Sequence, residues 1–85
     1  MSGIPAPHSG EAFVLQERDY RYGVGPIVAV VISIVATVAY DGEPWWHVEA
    51  EAANGTPDNH GGWVRRGLYL RASSIPDARR DFRSS

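Results

Sequence analysis

Eighty-five residues allow one small domain and no more. The chain has no cysteine, which excludes disulfide staples and thiolate metal sites. The net charge of −2 points to no partner by itself, but it is unevenly spread: residues 41–58 carry five acids and no base, and residues 65–83 carry six arginines against Asp77 and Asp81.

The first ten residues, MSGIPAPHSG, are rich in proline, glycine and serine. They lack the charged and apolar regions of a secretory signal, so residues 1–10 are expected as a disordered lead-in and a cytoplasmic location is the default. Ala12 to Gln16 (AFVLQ) then reads as a short strand. The following ERDYRYGVGP has the charges, glycines and proline of a loop, and Tyr20 and Tyr22 share one side of it if it is extended.

From Gly23 to Ala39 runs GVGPIVAVVISIVATVA, seventeen residues without a charge, nine of them Val or Ile. A membrane helix needs roughly 17–25 apolar residues, but β-branched side chains favour a pleated strand over a helix. The expectation is a long strand, bent once, lying in water rather than in a membrane. Its even positions, Val28 to Tyr40, are fully apolar and are expected to face the core. Its odd positions, Ile27 to Ala39, are lighter and are expected to be partly covered by another segment or by a second copy of the chain.

Asp41-Gly42 is a hairpin signal, because both residue types accept positive φ. The returning WWHVEAEAA alternates: Trp46, Val48, Ala50 and Ala52 on a core face; Trp45, His47, Glu49 and Glu51 on a solvent face. Residues 54–62 form a loop. WVRRGLYLR over Trp63–Arg71 resumes strand character, with Val64, Leu68 and Leu70 inward and Gly67 as a bulge. Ser74 can cap a short helical turn through Asp77–Phe82. The domain is therefore expected over 11–74, with a short helical or frayed tail over 75–85.

Paired tryptophans opening a strand (Trp45-Trp46), a Gly-aromatic-Val step (Gly62-Trp63-Val64) and a Tyr-aliphatic step (Tyr69-Leu70) resemble the SH3-like small barrel. The likeness covers roughly half the chain, Asp41 to Leu70. It implies an all-β fold: a small SH3-like barrel of about five antiparallel strands with a short C-terminal helix turn. Arg65 stands where SH3 domains of eukaryotes place a groove proline, and the spacing to Tyr69 is one residue longer. The resemblance therefore implies a fold more than a ligand.

Two functional readings follow. The first is a non-enzymatic protein-interaction module, adaptor or assembly factor, using an aromatic strip of Tyr20, Tyr22, Trp45 and Tyr69 on a protein or peptide partner, with self-association open. The second is a nucleic-acid-binding barrel using Arg65, Arg66, Arg71, Arg79 and Arg80. His47, Glu49 and Glu51 at two-residue spacing suggest a metal site only weakly, and the more ordinary reading is a solvated strand face. No catalytic constellation, phosphate loop or cofactor motif is present, so no enzyme, cofactor or metal is expected.

Overall fold

The computed structural model describes residues 3–83, and they form a mostly antiparallel β-sheet with one short helix at the C-terminal end. The strands are β1 (Ala12–Leu15), β2 (Tyr20–Arg21), β3 (Ile27–Tyr40), β4 (Glu43–Thr56), β5 (Asn59–His60) and β6 (Val64–Arg71). Helix α1 spans Ile75–Arg83 and follows directly on a 3-10 turn at Ala72–Ser74. Strand order is β1-β3-β4-β6-β2, with β5 pairing only to the end of β4. No pairing joins β1 to β2 among the described residues, so the sheet is open.

The β3–β4 hairpin is the frame. Its two-residue turn has Asp41 at φ 53° and Gly42 at φ 77°, the mirror-image turn whose twist matches paired strands. Tyr40 faces Glu43 across it. The long strand is indeed extended, but its faces are not the expected ones. Ile27, Ala29 and Val31 belong to the core cluster and Val28 is buried as expected, while Ile34 is 41% exposed and Tyr40 39%.

The cause is in the register. Pairing to β4 skips Ile32, between Val31 and Ser33, and Val35, between Ile34 and Ala36. Opposed residues of an antiparallel pair point to the same side. Each extra residue therefore flips the alternation of β3. The core side reads Ala29, Val31, Ile34, Thr37: odd, odd, even, odd. The other side reads Val28, Val30, Ser33, Ala36, Val38, Tyr40. A single two-residue rhythm along the run could not describe both halves. Gly67, expected as a bulge, is not one: β6 pairs to β4 without a break from Val64 to Arg71.

The core lies between one face of the sheet and α1. Phe13 and Leu15 of β1, Val48, Ala50 and Ala52 of β4, and Leu68 and Leu70 of β6 meet Ile75 and Ala78 of the helix. Trp46 packs against this cluster from its margin. So β4 obeys its predicted core face, and β6 does so for Leu68 and Leu70. Val64 does not: it is 62% exposed, at the outer end of the strand.

The segment before β1 and helix α1 are both tied to this core. The Trp46 indole donates to the Pro5 carbonyl at 2.8 Å, and Pro7 is fully buried. Gly10 donates to Val31 and Val31 to Glu11, which extends the β1 edge backwards. Arg79 on α1 pairs with Glu11 and donates to the Ala6 carbonyl. Residues 5–10 therefore lie against the sheet, and the helix completes the core rather than trailing from it. Among the described residues, no helix is long and apolar enough to cross a membrane.

Candidate functional site: an aromatic–arginine cluster on the second face

Residues of β4 that point away from the helix are Trp45, His47, Glu49 and Glu51. Register places Arg71 beside Trp45 and Tyr69 beside His47 on β6, and Arg21 of β2 beside Tyr69. Tyr40, Val38 and Ala36 of β3 lie on the same side. In a flat sheet β2 and β3 would stand about 14 Å apart, three strand spacings of roughly 4.8 Å. Yet the Arg21 guanidinium carbon sits 4.2 Å from the centre of the Tyr40 ring and 5.0 Å from that of Trp45. The long Arg21 and Tyr40 side chains thus reach across the sheet and gather the aromatic groups on this face.

Trp45 is the floor. It is only 2% exposed, which corrects the expectation of a solvent-facing tryptophan. Tyr40 lies tilted against it at 6.1 Å, and Arg21 and Arg71 cover it, Arg71 at 4.9 Å. A guanidinium over an indole face is held by the ring quadrupole, so burial here is by cations as well as by carbon. Arg71 is itself clamped by both oxygens of Glu43, at 3.0 and 2.9 Å. Around this floor, His47 and Tyr69 stack at 4.6 Å, and Tyr22 meets Tyr69 edge-on at 6.2 Å. A hydrogen bond with the Tyr40 hydroxyl, then the nearness of that phenol, pushes the Tyr22 phenol above its ordinary range.

Tyr20 is the second correction. It is 2% exposed and belongs to the core on the other face, opposite Leu70, with its hydroxyl donating to the Gly25 carbonyl at 2.9 Å. On a continued strand Tyr20 and Tyr22 would share a side, but the chain leaves β2 after Arg21, and Tyr22 swings out to 63% exposure. Gly23 allows this: a side chain there would stand 2.6 Å from the Tyr20 hydroxyl. Of the four predicted aromatic residues, only Tyr22 and Tyr69 offer surface together. Tyr40 and Arg21, not foreseen, complete the group.

Beside the cluster lies an open cavity of about 660 Å³, within the usual range for ligand pockets of about 300–1,000 Å³. The 3-10 turn Glu17–Asp19 forms one wall, fixed by the Asp19 carboxylate accepting from the Gln16 backbone at 2.9 Å. Arg18, Arg21, Tyr22, Trp45 and Arg71 line the rest with Glu17.

The five arginines of the nucleic-acid reading are not gathered into one patch. Arg65 and Arg66 are adjacent on β6 and point to opposite sides of the sheet, Arg65 toward Glu49 at 3.3 Å and Arg66 to the Tyr22 carbonyl. Arg71 holds Glu43, Arg79 holds Glu11, and Arg80 holds Asp77. The residues once grouped as ligands are also engaged otherwise: His47 stacks on Tyr69 and Glu49 pairs with Arg65, and no group of three His, Asp or Glu side chains among the described residues could hold a metal ion. No protein-family model, curated protein or solved structure matches the chain.

Proposed function

We propose that this chain is a non-enzymatic protein-interaction module whose binding face is the Tyr22–Tyr40–Tyr69 rim around the buried Trp45. The observation that carries this reading is the 63% exposure of Tyr22 next to a ring-held guanidinium and an open cavity. Aromatic residues and arginine dominate binding energy at interfaces, because each offers a large rigid surface with a polar edge. The same face has no function in closing the core, which lies on the opposite side of the sheet. In this reading the fold is an SH3-like barrel left open between β1 and β2. The β3-β4-β6 meander supports it. The nucleic-acid reading has less support, since its arginines are mostly paired with acids on this chain.

The test is affinity capture from native cell extract with the parent chain and a Tyr22→Ala/Tyr69→Ala variant. Tyr22 is mostly exposed and Tyr69 is part-exposed, so the variant is expected to fold with a small stability loss of about 1 kcal/mol. Captured partners should drop by at least about tenfold, as for loss of two interface aromatics. An unchanged set of partners on a folded variant would remove this face from consideration.

A further inference from the structure

Arg21 is unlike the other arginines near the cavity. Arg71 is held by two carboxylate oxygens of Glu43, and Arg18 stands 3.9 Å from Asp19. No carboxylate lies within ion-pair distance of Arg21 among the described residues; two rings hold it instead. Its Nε is shielded from water and has no hydrogen-bond acceptor, and neither has the Trp45 Nε1. Both donors belong to residues that line the cavity, and an unmet buried donor is costly. A planar guanidinium fixed by rings is also preorganised for a planar, two-oxygen anion.

We propose, resting on the interaction-face reading above, that the cavity is a carboxylate subsite: an extended peptide partner places an Asp or Glu side chain against Arg21, with its flanking residues over Tyr22 and Tyr69. Arginines and acids stand together around the cavity, so the shape of the anion discriminates more than its total charge. Glu17 lines the same wall, its Oε1 accepting from the Gly25 backbone at 3.2 Å, and Glu43 sits on Arg71. A carboxylate can meet a guanidinium edge with both of its oxygens, whereas a phosphate carries further oxygens that would face these acids. The volume admits a side chain and its neighbours, so a free small acid would leave most of the cavity wet.

The experiment is an NMR titration of the full chain, following the Arg21 Nε–H and Trp45 Nε1–H signals. Four probes are compared: the blocked peptides Ac-Tyr-Ala-Glu-Ala-Tyr-NH2 and Ac-Tyr-Ala-Gln-Ala-Tyr-NH2, sodium acetate and inorganic phosphate. Saturable shifts with the glutamate peptide, at least about tenfold weaker with its glutamine twin, are expected for a charge-assisted pair. Arg21→Gln should abolish the difference between the peptides, and Arg21→Lys, which keeps charge but not the fork, should restore part of it. Equal binding of the two peptides would overturn the proposal, and so would tighter binding of phosphate. Acetate binding as tightly as the glutamate peptide would overturn the peptide assignment. If Arg21→Gln does not fold, the twin-peptide comparison on the native chain decides alone. If the peptides fail while the double tyrosine variant still loses its partners, the carboxylate subsite falls and the interaction face stands.

Discussion

Replacing Phe13 by alanine is expected to unfold most of the chain at room temperature. Phe13 is fully buried, sits opposite Ala29 across the β1–β3 pair, and belongs to the cluster that Ile75 and Ala78 of α1 close. Truncating a buried phenylalanine removes its transfer free energy and leaves a cavity, together about 3–5 kcal/mol. Its neighbour on β3 is only an alanine, so no large side chain stands across the pair to fill the space. Small domains hold at most the lower part of the usual range of about 5–15 kcal/mol. The loss is therefore comparable with the whole stability. Urea titration followed by circular dichroism should show the midpoint collapse, while Val64→Ala, on the same sheet face but largely exposed, should stay within about 0.5 kcal/mol of the parent. A Phe13→Ala variant as stable as Val64→Ala would mean that β1 and α1 do not enclose a common core.

The second large effect is at the ion pair that ties the lead-in to the helix. Glu11 and Arg79 side chains are 16% and 27% exposed, and Arg79 also donates to the Ala6 carbonyl. Burial pushes the Glu11 carboxyl up. The hydrogen bonds from Arg79 and from the His8 backbone N–H, with the Arg79 charge, outweigh it and leave the carboxyl below its ordinary range. The Arg79 guanidinium is pushed up, by its hydrogen bond to Glu11 against the opposing effect of burial. A carboxyl depressed in the folded state contributes stability above its unfolded pKa. That contribution is lost as pH falls through the lower, folded value. Unfolding free energy should thus decline on acidification below the ordinary carboxylate range, with Glu11 as one source. Glu11→Gln should flatten that part of the profile. At neutral pH it should cost roughly 2–3 kcal/mol, because it leaves a mostly buried guanidinium without its counter-charge. Equal slopes for Glu11→Gln and the parent between pH 5 and pH 3, measured by denaturant titration at about those values, would show that the pair is not formed in solution.

How much of this was legible in the residues depends on how local the determining forces are. The Asp41-Gly42 turn and the core face of β4 were legible, since turn chemistry and strict alternation are short-range signals. The extended state of the valine–isoleucine run was legible from side-chain shape. Its faces were not. A bulge has no residue signature in a run where every position is apolar, so nothing marked Ile32 or Val35 as the extra residues. Counting faces outward from the turn would have placed Tyr40 and Val38 with Trp45, because a two-residue loop fixes that end of the register. Trp45 read as exposed because its neighbours His47, Glu49 and Glu51 are polar. What covers it, Arg21 and Arg71, comes from two other strands, and Arg21 reaches it from a strand that does not pair with β4. Tyr20 failed for a related reason: its destination depends on where β2 pairs to β6. The helix was longer than expected, Ile75–Arg83 against Asp77–Phe82, because its first turn is driven by burying Ile75 against a core that local propensity cannot sense.

The two skipped positions of β3 have a bearing on how this chain behaves in a crowded solution. Beyond Ile32, whose carbonyl accepts from the Ser9 hydroxyl, the outer margin of β3 has no neighbouring strand among the described residues, and no charge or proline guards it before Asp41. A straight margin of that composition is a template on which copies stack without limit. The kink at Val35 breaks the even spacing of amide and carbonyl groups there, so an incoming strand finds no long matching row. Losing that one residue would leave every pairing with β4 in place, yet would give this flank the even row of groups on which strands stack.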